Sequence, residues 1–395
     1  MTGRGDRGGQ EWQQASALMA WLLNPAETAP VPPQQWRCLL ERCQALRIGP
    51  QAMHRLAVEP GAVPAADQHE FNRLRMQGFV ATTQVLRVGC RALERLRAAG
   101  IQAVGFKGLA TVGWLHGGRP ERGMGDCDLL ISSADCQRAL IVLLEAGFLP
   151  TVQDVAVDDL IEFVASSPGS AGNRAISLAG PDGSEIDLHW HLGGLDVAVL
   201  MGDARPRAVL GLEVPLVRPA VGCLLAVQHA LRNDFVPDEV IRDLLDAAGW
   251  LALLEGDPAE QAWLLQMVRR AGLEDALVAV ALILQAVNSR VWCLPPSPRA
   301  QALVDHWTRQ LEHQAINRDL LYLCSLRPGR RLLAGVARSG AEYWRVMGAM
   351  ETAIGDQRRS VRRRLLMLAR AAWRTSWSDW QRLRALASLK ARLDC

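Results

Sequence analysis

Seven consecutive residues, Glu185-Ile186-Asp187-Leu188-His189-Trp190-His191, alternate ionisable and apolar side chains without a break. Successive side chains of a strand point to opposite faces, so this run specifies a strand with one apolar face and one row of four ionisable groups. A solvent-facing strand ordinarily mixes Thr, Ser and Lys into its polar row; this one carries only acids and histidines. A second run, Asp126-Cys127-Asp128-Leu129-Leu130-Ile131, begins with the same alternation. Asp126 and Asp128 share one face, and Cys127 and Leu129 turn towards a core. The chain is thereby committed to a sheet that holds several carboxylates on one side.

The surrounding sequence has a different period. Leu86, Cys90, Leu93 and Leu96 recur at near-helical spacing within a predicted helix from Gln68 to Ala99, which Gly100 closes as a C-terminal cap. Earlier helices are expected over Glu11 to Leu23 and from Pro33 through Leu46. Ile101 to Phe106 then reads as a short buried strand, and Gly113 to Gly125, with five glycines, as a break in regular structure. Ser133 is the expected N-cap of a helix over Ala134 to Ala146 that Gly147 ends. Two alternating runs about Pro181-Asp182-Gly183 predict a hairpin, and a loop or short helix is expected over Val155 to Ala165. From Val221 the pattern is helical, with helices expected over 221–232, 238–254, 258–271, 274–289, 298–324 and 340–372. The expected organisation is a disordered lead-in (1–10), an N-terminal helical region (11–100), an α/β core (101–195) and a C-terminal helical domain with a basic tail (196–395). The fold class is α+β: a short mixed sheet flanked by helices.

Paired carboxylates repel, and each raises the other's proton affinity unless a cation lies between them. Mg²⁺, or Mn²⁺ in its place, suits such a pair, being held by one or two carboxylates together with substrate phosphate oxygens. If the two runs are neighbouring strands, Asp187 supplies a third carboxylate, enough for a two-metal site that activates an attacking oxygen and stabilises a leaving one. Glu185 and His189 stand on the same row as further candidates. Lys107-Gly108 follows the first strand directly: glycine lets backbone amides approach a phosphate, and lysine offsets its charge. Arg122, four residues before Asp126, is a second candidate phosphate contact.

Composition narrows the classes. Nine scattered cysteines without a C-x-x-C pair argue for a reducing, cytoplasmic setting. No apolar run approaches the ~20 residues of a bilayer span. Residues 351–395 hold eleven Lys and Arg against four Asp and Glu. With Trp373, Trp377 and Trp380 interleaved, that tail has the composition of a nucleic-acid or membrane surface. A helix docked on the acidic remainder of the chain is the favoured reading.

Lys107-Gly108, then Arg122-x-Met124-Gly125-Asp126-x-Asp128-Leu129-Leu130-Ile131, a helix ending in Gly147-Phe148, and Glu185-Ile186-Asp187-Leu188-His189-Trp190 together resemble the uncharacterised bacterial nucleotidyltransferase family of the polymerase-beta superfamily. The likeness spans about residues 80–195. It continues more loosely at Gln228-His229 and Leu244-Leu245-Asp246, and faintly at Ser378-Asp379-Trp380. It implies a polymerase-beta-like core that transfers a nucleoside monophosphate from an NTP, ATP being the expected one, to a hydroxyl acceptor. Asp126 and Asp128 would be metal ligands, Asp187 the third carboxylate as ligand or base, and Lys107-Gly108 the nucleotide-phosphate loop. His229 is a weaker site candidate. The resembling family is often encoded near biosynthetic genes, which implies small-molecule or peptide tailoring as the expected role. In place of the superfamily's Gly-Ser pair this chain has Lys107-Gly108-Leu109, with Asp126 eighteen residues after Gly108. That departure bears on triphosphate geometry more than on metal binding.

Two other readings compete. One is an inactive module that keeps the fold and binds a nucleotide or partner. The other is a zinc hydrolase built on Asp187, His189 and His191, since alternate strand positions can bring two imidazoles to one metal.

Overall fold

The computed structural model describes residues 18–23, 31, 35–151, 161, 173–192, 195–233, 235, 237–287 and 295–313. Residues 18–23 are helical, the described part of the helix expected over Glu11 to Leu23, and helices α1 (Trp36–Ala45), α2 (Gly49–Val58) and α3 (Gln68–Ala98) follow. Then follow β1 (Ala103–Gly105), α4 (Gly108–Leu115), β2 (Asp126–Ile131), α5 (Cys136–Glu145), β3 (Leu149–Pro150), β4 (Asn173–Ala179) and β5 (Glu185–Leu192). After α6 (Val197–Gly202), the hairpin β6 (Arg205–Val209) and β7 (Leu212–Leu216) leads to α7 (Pro219–Arg232), α8 (Pro237–Glu255), α9 (Pro258–Ala271), α10 (Glu274–Ala286) and α11 (Pro298–His313). The fold is α+β, with one mixed seven-stranded sheet in the order β3-β4-β5-β2-β1-β7-β6 and helices flanking it.

The two acid-bearing strands are central neighbours and run parallel. Their register sets Asp126 beside Glu185 and Asp128 beside Asp187, so both acidic ends meet at the same edge. Alternation does what the sequence predicts. Ile186, Leu188 and Trp190 are buried on one face, as are Cys127 and Leu129. Helix α3 covers β2 closely, because Gly89 has no side chain: a Cβ there would come 2.1 Å from the Cys127 sulfur. The hairpin about Pro181-Asp182-Gly183 forms as β4 and β5, with Gly183 at φ 80°.

Several expectations change. The passage Gly113 to Gly125 does not begin with a break, since α4 runs through Gly113 to Leu115. Gly113 is there for close packing: a Cβ would lie 2.2 Å from the Leu216 side chain. Helix α2 is also new, its start set by Pro50 in the first turn. The cap before α5 is Ser132 rather than Ser133; its hydroxyl accepts from the Asp135 amide at the entry of a short 3₁₀ turn. The sheet does not stop at 195, because β6 and β7 extend it, β7 pairing parallel with β1. Pro206, Pro215 and an alternation broken by charge conceal this hairpin in the sequence. The helices expected from 221 onward are α7 to α11, the last described to His313; the expected 340–372 helix and the basic tail lie outside the described residues, as do 1–17 and most of 155–165. No helix among the described residues is long and apolar enough to cross a membrane.

Candidate active site

The polar edge of β2 and β5 opens on a cleft of about 820 Å³ between the sheet, α4 and the helices α7 and α8. Asp126, Asp128, Glu185, Lys107, Gly108 and Arg122 all line it. So, from the helical side, do His229, Arg242, Asp243 and Asp246.

Asp128 is 4% exposed and is the hub. Its Oδ1 accepts from the Lys107 ammonium and lies 3.0 Å from His189 Nε2. Burial alone would raise its proton affinity, but Lys107 and His189 overcome that and hold the carboxyl well below the usual carboxylate range. Asp126 goes the other way. Burial, then the charges of Asp128 and Asp187, push its pKa up, and Lys107 and Arg242 offset this only in part. Asp187 accepts a hydrogen bond of 2.5 Å from the Ser177 hydroxyl on the adjoining strand. Ligand atoms of Asp128, Asp187 and His189 all lie within 4.8 Å of one another, a group able to hold a cation. His191 is not part of that group, which removes the His-His pair on which a zinc site was to rest. The His189 ring is buried under Phe106, whose ring meets it edge-on with centroids 5.0 Å apart, and its Nδ1 has no hydrogen-bond partner.

Lys107 sits at the turn from β1 into α4 with φ 45°, a conformation that costs a non-glycine residue free energy and is tolerated where surrounding contacts fix it. Those contacts are present. The Phe106 amide donates to the Asp128 carbonyl at 3.2 Å, and the Thr111 amide and hydroxyl donate to the Lys107 carbonyl at 2.9 and 3.0 Å. The strained turn aims the ammonium at Asp128. Gly108 then opens α4 where a Cβ would meet the Arg122 guanidinium at 2.6 Å.

Arg122 differs from its expected role. It is 5% exposed, and its Nε and Nη2 donate to the Asp246 carboxylate on α8 at 2.7–3.1 Å. Burial alone would lower its pKa; Asp246 more than reverses that and holds the guanidinium above its ordinary value. The side chain is a strut between the loop before β2 and α8, not a free phosphate contact. Because the strut fixes Arg122, Gly108→Ala has nowhere to push it. That variant is expected to lose about 1–3 kcal/mol in urea unfolding, whereas alanine at the open Gly125, with nothing near its Cβ, loses far less.

His229 Nδ1 lies 2.7 Å from Asp243 Oδ2, an oriented imidazole at the cleft wall. The sequence reading missed Arg242 and Asp243. Their signal was present: Arg242, Asp243 and Asp246 recur at helical spacing in a helix otherwise rich in Leu and Ala.

A sheet edge of clustered carboxylates at the mouth of a cleft, with cations from the adjoining turn, belongs to the nucleotidyltransferase class. Residues 32–288 match the family described as uncharacterised nucleotidyltransferase, and the chain belongs to that family. No curated protein matches it. Among solved structures it is similar to an antigenic nucleotidyltransferase-like protein from Paracoccidioides brasiliensis, at 16% identity over 54% of this chain and 94% of that one. The TM-score of 0.25 is too low for that likeness to bear on fold or site.

Proposed function

We propose that the protein transfers a nucleoside monophosphate from an NTP, with ATP the first choice, to a hydroxyl group of a small molecule, sugar or peptide. The observation that carries this reading is the parallel register that sets Asp128 beside Asp187 and Asp126 beside Glu185, with Asp126, Asp128 and Glu185 lining the cleft. The donor set fits a divalent cation: the Asp128 and Asp187 carboxylates and the His189 imidazole lie within coordinating reach of one another. Asp128 and Asp187 would hold Mg²⁺ or Mn²⁺ with Asp126 beside them, and His189 would hold Asp128 in place or join as a nitrogen ligand. When bound, such a cation supplies charge neutralisation for the phosphates and activation of the attacking oxygen.

The chain's own residues do the rest. The acceptor oxygen bonds to the α-phosphorus, the bond from that phosphorus to the bridging oxygen breaks, and pyrophosphate leaves. Asp187 or Asp126 takes the hydroxyl proton. Lys107, held at Asp128, sets its positive charge beside the developing phosphate charge without leaving that carboxylate, while Gly108 lets the turn's backbone come close. The helices after the sheet, α7 and α8 foremost, form the acceptor side of the cleft. Positioning and charge stabilisation supply most of the rate.

The test is an NTP panel labelled at the α-phosphate, with Mg²⁺ or Mn²⁺ and a broad set of hydroxyl acceptors. Label transferred with one pyrophosphate per event is expected. Nucleotide binding without transfer or pyrophosphate release would instead make this an inactive binding module, the reading that the Lys107–Asp128 pair favours.

A further inference from the structure

Four cationic side chains line the cleft, and they divide by what already holds them. The Lys107 ammonium sits on Asp128, and the Arg122 guanidinium is bound by Asp246. Withdrawing either from its partner would leave a buried carboxylate uncompensated, which is strongly unfavourable. Arg47 stands at the exposed rim, where solvent and salt screen it.

Arg242 is unlike the other three. It projects from α8 one turn before Asp246, and among the described residues it makes no hydrogen bond or ion pair. Its Nε is shut off from solvent with no partner. Burial and the like charge of Arg122 push its pKa down, while Asp243, Asp246 and Asp126 act on it through space. A partly desolvated guanidinium in the field of another cation, its buried Nε without an acceptor, is a costly arrangement. An anion entering the cleft would relieve that cost. Guanidinium suits phosphate because its planar fork gives two parallel hydrogen bonds.

We propose that Arg242 is the triphosphate-binding residue of the cleft, taking the β- and γ-phosphates so that the α-phosphate lies against Asp126 and Asp128. This inference rests on the nucleotidyl-transfer reading and deepens it. It supplies the phosphate contact for which Arg122 is not available, and it explains how a chain lacking the superfamily's Gly-Ser pair holds its leaving group. The field that Arg242 and Asp126 exert on one another fits a phosphate chain that bridges them.

The experiment is calorimetric titration of the full chain with magnesium tripolyphosphate, which has no base, sugar or α-phosphate ester. The wild type is expected to bind, Arg242→Ala to bind at least about tenfold more weakly, and Arg242→Lys to fall between, since lysine keeps the charge and loses the fork. The remote, exposed Arg269→Ala is the charge control and is expected to match the wild type. Thermal unfolding of Arg242→Ala should show no loss of stability, because no partner is stranded. Equal binding by wild type and Arg242→Ala overturns the inference. So does equal weakening by Arg269→Ala, which would mark a general charge effect. Either result leaves the transfer reading standing wherever label transfer is observed. Arg242-dependent tripolyphosphate binding without any label transfer supports the phosphate site while removing that reading. Absence of tripolyphosphate binding by the wild type overturns the inference outright.

Discussion

Replacing Asp126 and Asp128 together with asparagine is expected to lower nucleotidyl transfer by about three orders of magnitude or more, equivalent to roughly 4 kcal/mol of transition-state stabilisation. The single variants should separate function from folding. Folded Asp126 holds its proton more tightly than an ordinary carboxylic acid, because burial and the charges of Asp128 and Asp187 disfavour its ionised form. Its contribution to stability therefore rises as pH falls, and Asp126→Asn at neutral pH should keep or raise stability. Asp128 is depressed by Lys107 and His189. Its ionised form stabilises the fold above the unfolded pKa of ~4 and loses that contribution as pH falls through the folded value. Asp128→Asn should thus be less stable at pH 7 and flatten the acid limb of the stability curve. Urea unfolding from pH 3 to 7 reads both. Transfer that survives the double substitution would remove these acids from catalysis.

The second large effect is structural. Arg122→Ala strands Asp246, 7% exposed, leaving the Thr111 hydroxyl at 3.5 Å as its side-chain hydrogen-bond partner among the described residues. Breaking a buried pair from one side costs about 3–5 kcal/mol, so the variant should unfold at markedly lower urea. Arg122→Met with Asp246→Leu removes both charges and should recover most of that loss. A loss below ~1 kcal/mol in Arg122→Ala would mean that solvent reaches the carboxylate and that the strut does not join the loop to α8.

Much of the site was legible because strand alternation leaves little freedom. Once Asp126 to Ile131 and Glu185 to His191 are strands, their acids must share faces, and only the pairing of the two strands is undetermined. Residues whose roles depend on distant partners were not legible. Arg122 looked like a phosphate contact because its neighbours in sequence are acids, yet its partner is 124 positions away. His189 read as a weak candidate, and burial beneath Phe106 places it at the centre of the cluster. The β6–β7 hairpin carries no clean alternation, and its place in the sheet comes from tertiary pairing with β1. Gly89 and Gly113 gave no cue that they are points of helix-to-strand contact, because a packing glycine and a helix-breaking glycine look alike in a single sequence.

The claim on which everything else depends is that the Asp126, Asp128 and Asp187 edge is a divalent-cation site. Titration of the metal-free protein with Mn²⁺, followed by electron paramagnetic resonance with and without a non-hydrolysable NTP, tests it directly. The wild type should take up Mn²⁺, more tightly with nucleotide, and the Asp128→Asn and Asp187→Asn variants should lose that binding while remaining folded. Mn²⁺ uptake that is the same in the wild type and both variants would contradict it.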